Sequence, residues 1–260
     1  MSTPVSRIRR RPLLAAALLA LLGSAGAEPL PELVARAKPA VLLVGSFGLL
    51  DSPRFGFRGT GFAVGDGNHA VTNAHVLLPP DQSASGERRM AVQVYDGDRQ
   101  WRQREATVVA VDATHDLALL RFDGPPLPPL RLAPNAALRE GGEIALIGFP
   151  VGGALGFSHV THRGILAART AIALPAVGAQ ALNARAISQL RQGSFEVLQL
   201  DVTAYPGNSG GPVFDTGTGE VIGVVSMVLI KGTRESALSA PTGISYAMPV
   251  EHVQALLNRK

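Results

Sequence analysis

The sequence predicts an all-β fold, and three observations predict it. Twelve short apolar runs, most of them rich in Val and Ile, are separated by Gly, Pro, Asp or Asn. Gly 29 and Pro 19 together make about 18% of the chain, against an average near 12%, and no internal repeat accounts for the excess. Helical spacing of apolar residues is limited to a few short stretches. So many short strands with so little helix fit a barrel or a sandwich, or two barrels.

Composition narrows the classes further. A chain of 260 residues suits one large domain or two small ones. At 46% hydrophobic and 17% charged it can bury a substantial core, which argues against disorder. No apolar run reaches 18 residues, so a polytopic membrane protein and stable membrane insertion are not expected. There are no cysteines, which excludes disulfides, thiolate metal sites and a cysteine nucleophile together. The formal net charge of +4 comes wholly from residues 1–27, which carry four arginines and no acid; beyond them 20 basic residues face 20 acidic ones. No nucleic-acid partner is expected, because the body has no Lys/Arg cluster resembling a phosphate-binding patch.

Residues 1–27 read as an export signal. Arg7, Arg9, Arg10 and Arg11 form a basic start, 13–22 is only Leu and Ala, and Ala25 and Ala27 are the small residues a signal peptidase reads. Cleavage is expected after Ala27. An anchor is disfavoured because the apolar run is too short for a hydrocarbon core of ~30 Å. The adjacent arginines before Pro12 keep the twin-arginine route open as an alternative. A cysteine-free exported chain points to a bacterial periplasm or the exterior.

The body then alternates strand and turn. Pro29, Pro31 and Pro39 bracket a short helix at 31–37. Strands are predicted at 41–44, 61–64, 70–72, 91–95, 106–111 and 117–122. Five prolines in 123–135 exclude a central strand or helix, so this segment is the connector between two halves. Further strands are predicted at 143–147, 161–167, 197–200, 211–214, 221–228 and 243–248. The Ala- and Leu-rich stretch 171–192 reads as an insertion loop, with helical character over 179–190. Val250, Val253, Leu256 and Leu257 have helical spacing, so a terminal helix at 250–258 should dock on the body.

The chemistry concentrates in three strings. Gly207-Asn208-Ser209-Gly210-Gly211-Pro212 places a serine among glycines just before a strand. Without Cβ atoms to obstruct the turn, backbone N–H groups can converge on one spot, as an oxyanion hole requires. By itself such a string is as often a plain turn. Thr72-Asn73-Ala74-His75-Val76 adds a histidine directly after a strand, and Thr114-His115-Asp116-Leu117 adds an aspartate where another strand begins. A lone His or Asp at a strand end is usually structural. In the order His75, Asp116, Ser209 they match one known arrangement of the serine triad.

With these strings the chain resembles the trypsin/chymotrypsin superfamily, and within it the protease domain of bacterial HtrA-type (DegP-like) enzymes. Supporting pieces are Gly59-Thr60-Gly61-Phe62, Ile147-Gly148-Phe149-Pro150, Gly164-Ile165-Leu166, Gly223-Val224-Val225 and Ile244-Ser245-Tyr246-Ala247-Met248-Pro249, in family order. The resemblance implies a chymotrypsin-like fold of two perpendicular six-stranded barrels, about 40–123 and about 136–249, joined by a linker at 124–135. It implies a serine endopeptidase acting on polypeptide substrates through an acyl-enzyme, with no cofactor and no metal. His75 would be the base, Asp116 its orienting partner and Ser209 the nucleophile, with Gly207, Asn208 and Ser209 forming the oxyanion hole. Asn208 stands where digestive trypsins carry an aspartate that pairs with a new N-terminus, so no zymogen switch of that kind is expected. The chain ends at Lys260 with no PDZ domain expected, and a monomer is expected.

Specificity is partly legible. Thr203 lies six positions before Ser209, where trypsins carry the aspartate that binds Arg or Lys. Asp201 is expected to serve structural hydrogen bonds instead. Thr203, Val225, Ser226 and Tyr246 then outline an uncharged pocket that should take a small or medium apolar residue, because a buried unpaired cation is costly. Three rivals compete. A catalytically silent relative that binds polypeptides as a holdase or adaptor would normally lack a triad member, and this chain keeps all three. An α/β-hydrolase would place its acid and His after the Ser and a helix directly behind it. A metalloprotease would need a His-Glu-x-x-His helix, which is absent.

Overall fold

The computed structural model describes residues 28–84, 86–96, 100–134, 139–152, 156–171, 195–226 and 243–259. The expected export signal at 1–27, and the expected insertion beyond Ala171 as far as 192, lie outside the described residues.

Two closed barrels of six strands each make up the body. The first contains β1 (Val41–Gly48), β2 (Phe55–Val64), β3 (His69–Asn73), β4 (Arg88–Tyr95), β5 (Trp101–Asp112) and β6 (Leu117–Phe122). It closes in the order β1-β2-β3-β6-β5-β4. The second contains β7 (Glu143–Gly148), β8 (Val160–Ala171), β9 (Glu196–Asp201), β10 (Pro212–Asp215), β11 (Glu220–Val225) and β12 (Ile244–Pro249). It closes in the order β10-β11-β12-β9-β8-β7. The choice left open by composition is thereby settled for two barrels. Each apolar run lies in or overlaps one strand, and several strands outgrow their runs. β5 and β8 reach 12 residues each, because ladder pairing continues where side chains turn polar and face water.

Burial follows the Val/Ile/Leu pattern. Val41, Leu42, Leu43 and Val44 are all fully buried, so both faces of β1 are covered. Each such side chain contributes about 1.5–3 kcal/mol. The short helix α1 (Leu30–Ala37) buries Leu33 and Ala37. A second helix, α2 (Pro80–Ala84), was not expected from periodicity, since five residues are too few to show any. The terminal helix α3 (Val250–Leu257) buries Val250, Val253 and Leu256 and packs against β6 and β11, so it touches both barrels. None of the described helices is long and apolar enough to cross a membrane.

Two features join the halves. The proline-rich connector runs along the second barrel: the Val221 N–H donates to Arg131 O and the Ala133 N–H to Val221 O, both at 2.8 Å. Trp101 of β5 packs edge-on against Phe149, with ring centroids 5.3 Å apart, and its indole N–H donates to Phe157 O at 3.1 Å. The His159 ring joins this cluster and donates Nε2–H to Val41 O at 2.9 Å.

Candidate active site

His75 is positioned by the way β3 ends. The strand stops at Asn73, and a single 3-10 turn, Ala74–Val76, carries the histidine. Arg58 clamps this turn, donating to Val76 O at 2.6 Å and to Leu77 O at 2.8 Å. Asp116 comes from just before β6 and adopts φ 53, a left-handed conformation that costs most residues energy but that Asp tolerates. That conformation lets its backbone carbonyl accept from Ala74 N–H and from the Asn73 side-chain amide, each at 3.0 Å. The carboxylate then faces the histidine. Oδ1 accepts from His75 N–H at 3.0 Å, and Oδ2 lies 2.7 Å from His75 Nδ1.

A third donor among the described residues reaches the carboxylate. The Ser226 hydroxyl, fully buried at the end of β11, donates to Asp116 Oδ2 at 2.8 Å. Together these donors fix the orientation of the buried carboxylate. With Oδ2 accepting, His75 Nδ1 carries the proton and Nε2 is left as the basic nitrogen.

Ser209 comes from the second barrel on a turn whose backbone is almost fully committed. Pro206 O accepts from Val151 N–H, Gly207 O from the Thr60 hydroxyl, Asn208 O from Gly211 N–H and Ser209 O from Thr60 N–H, all between 2.7 and 2.8 Å. The Asn208 N–H donates to Tyr205 O and the Gly210 N–H to Val225 O, both at 2.9 Å. Among the described residues, the N–H groups of Gly207 and Ser209 have no acceptor. The turn requires glycine at two places. Gly207 has φ 103, and a Cβ there would collide with Phe149 O; Gly210 has φ 86, and a Cβ there would collide with Thr60 O.

The structure thus brings His75 and Asp116 into direct contact and sets Ser209 on a turn held by the residues around them. No hydrogen bond joins the Ser209 hydroxyl to the His75 ring among the described residues. Asn208, expected with Gly207 and Ser209 as an oxyanion donor, has already spent its N–H on Tyr205. Its fully buried side chain instead points Nδ2 at His162 Nε2, 3.4 Å away. Burial pushes the His162 pKa down, so this ring stays neutral and can accept.

Among the residues expected to outline a pocket, Val225 and Ser226 have fully buried side chains, Val225 in the core and Ser226 on Asp116. Thr203 and Tyr246 keep partial exposure. Asp201, expected to serve structural hydrogen bonds, is exposed. Ser245, given no role of its own by the sequence, fixes the segment before the turn by donating to Val202 O at 2.6 Å and accepting from Ala204 N–H at 3.0 Å. Thr60 was also missed, although the flanking Gly59 and Gly61 signal close backbone approach. Among the described residues, no group of three His, Cys, Asp or Glu side chains could hold a metal ion.

Comparison with known proteins gives the family. Residues 59–224 match the family described as "Trypsin-like peptidase domain". A "Probable periplasmic serine endoprotease DegP-like" from Halomonas elongata is 32% identical over 195 residues, covering 74% of this chain and 33% of that protein. Its counterpart from Pseudomonas fluorescens is 29% identical over 201 residues, covering 77% and 34%. "Serine protease HTRA2, mitochondrial" from Drosophila pseudoobscura pseudoobscura is 31% identical over 201 residues, covering 77% and 38%. The chain therefore spans about a third of the length of the curated relatives it matches. The crystal structure of Deg5 aligns with a TM-score of 0.62 at 25% identity, covering 86% of this chain and 89% of that one. The HtrA-type protease AlgW, solved with a tripeptide, aligns with a TM-score of 0.61 at 23% identity, covering 87% and 61%, which speaks to the fold alone.

Proposed function

The chain belongs to the trypsin-like peptidase family, and from that premise we propose that it is an exported serine endopeptidase. The observation that carries the reading is the 2.7 Å contact between His75 Nδ1 and Asp116 Oδ2, beside a serine turn with two N–H groups that have no acceptor among the described residues. In this reading His75 Nε2 takes the Ser209 proton as Oγ attacks the scissile carbonyl carbon. Asp116 stabilises the imidazolium that forms. The carbonyl oxygen becomes an oxyanion and is received by the N–H groups of Gly207 and Ser209; one such donor is worth roughly 3–4 kcal/mol of barrier. His75 then gives its proton to the leaving amine, and the carbon–nitrogen bond breaks to leave an ester on Ser209. Water, deprotonated by His75, attacks that ester and restores the hydroxyl.

The substrate class follows from the same surfaces. Thr203 and Tyr246, neither carrying a carboxylate, support cleavage after small or medium apolar residues of flexible polypeptides. All three triad residues come from one chain, so the reading needs no second copy. Export rests on the basic and apolar segments of 1–27; two of the relatives above are described as periplasmic and one as mitochondrial. One observation favours a second reading, a weakly active polypeptide-binding relative: the Ser209 hydroxyl does not bond to the His75 ring. Apo enzymes often show such contacts lengthened. Treatment of the purified protein with a fluorophosphonate separates the two readings, since covalent modification of Ser209 requires an activated nucleophile.

A further inference from the structure

We propose that Thr60, a residue of the opposite barrel, is a positioning residue that locks the nucleophile turn in its oxyanion-binding form; this rests on the endopeptidase reading above. Thr60 lies in β2 and is fully buried. All of its polar groups are engaged, most of them by the second barrel. Its hydroxyl donates to Gly207 O at 2.7 Å and accepts from Phe149 N–H at 3.2 Å. Its N–H donates to Ser209 O at 2.8 Å, and its carbonyl accepts from the Thr72 hydroxyl at 2.7 Å.

The need for a lock comes from Gly207 itself. At φ 103 with no Cβ, this residue, like Gly210, has the backbone freedom of glycine. A rotation that swung its carbonyl into the cleft would put a partial negative charge where an oxyanion must sit. Thr60 opposes that rotation by holding both the Gly207 and the Ser209 carbonyls toward the first barrel. The Asn208 N–H, bonded to Tyr205 O, secures the other edge of the same peptide group. With these groups tied down, the N–H groups of Gly207 and Ser209 are the ones left for substrate. The hydroxyl adds what the backbone bond alone does not: it reaches the glycine two residues before the nucleophile's carbonyl, and it ties that glycine to Phe149 at the end of β7.

The test is Thr60→Val, which replaces the hydroxyl by a methyl of similar size and leaves the bond from Thr60 N–H to Ser209 in place. Wild type, Thr60→Val, Thr60→Ala and Thr60→Ser are compared on a chromogenic peptide with an apolar residue before the scissile bond. The affinity for a peptide boronic acid, whose tetrahedral adduct occupies the oxyanion site, is measured alongside. The expected result is about a tenfold fall in kcat for Val, the scale of one lost hydrogen bond, with KM within about twofold and boronate affinity falling in parallel. Serine should restore kcat to within about twofold of wild type. If the valine variant does not fold, the Ala and Ser variants decide, because both lack the methyl and differ only in the hydroxyl. A valine variant with wild-type kcat, a loss carried by KM alone, or no difference between Ala and Ser overturns the inference while leaving the endopeptidase reading intact. A wild-type protein that neither turns over peptide nor binds boronate overturns both.

Discussion

Ser226 and His75 converge on one oxygen: the serine hydroxyl at 2.8 Å and the imidazole Nδ1 at 2.7 Å both meet Asp116 Oδ2. The serine comes from the end of the second barrel's β11 and the other two residues from the first barrel. The orientation of the base is therefore set jointly by both halves of the protein. A relative rotation of the barrels would disturb the carboxylate before it disturbed the histidine.

Ser226→Ala should accordingly lower kcat while leaving the fold intact. A donor to the carboxylate is lost, and removing a hydrogen bond to a charged group costs roughly 1.5–3 kcal/mol. A fall in kcat of about 10- to 100-fold is expected from that loss, with KM little changed, measured by steady-state hydrolysis of a peptide substrate. Unchanged kcat would mean that His75 and the backbone hold Asp116 without help.

A second relationship makes stability pH-dependent. The His252 ring of α3 stacks on His115 at 3.7 Å between centroids, and His115 directly precedes Asp116. Burial first, then the nearby His115, pushes the His252 pKa from its ordinary 6.5 down to about 4. Between those values the unfolded chain binds the proton and the folded chain does not. Stability should therefore fall as pH drops from about 6.5 toward about 4. Discounting for the ring's partial exposure leaves an effect of about 1 kcal/mol, or about 2–4 °C in Tm. Thermal melts at pH 7 and pH 5 should differ less by that amount in His252→Gln than in wild type. An equal difference in both proteins would remove His252 from the account.

Specificity offers a separate check. A pocket bounded by Thr203 and Tyr246 has no carboxylate to balance a buried Arg or Lys, whose desolvation costs several kcal/mol per ion. Mass spectrometry of a digested unfolded protein should show cuts concentrated after small or medium apolar residues. A map dominated by Arg and Lys would implicate the exposed Asp201.

The fold was legible because strands advertise themselves. Runs such as Leu117-Ala118-Leu119-Leu120 and Val221-Ile222-Gly223-Val224 carry their burial in composition, and the prolines of the connector mark the division between barrels. His75, Asp116 and Ser209 stood out because each sits in a distinctive short string. What stayed hidden was long-range hydrogen bonding. Thr60 bonds to Gly207, and Ser226 to Asp116, across 147 and 110 residues of sequence, and such partnerships leave no local period. The surroundings of Val225 and Ser226 stayed hidden for a related reason. Val225 and Ser226 follow a strand pattern that says they alternate, but not which surface each one meets. Asn208 shows the same limit at smaller scale, since the glycine-rich string does not reveal that Tyr205 takes its N–H.

The most direct measurement is intact mass after fluorophosphonate treatment of the folded protein and of its Ser209→Ala variant. The account predicts one adduct on the wild-type chain and none on the variant. An adduct that survives the substitution, or a wild-type chain that never reacts, would contradict the assignment of Ser209 as an activated nucleophile.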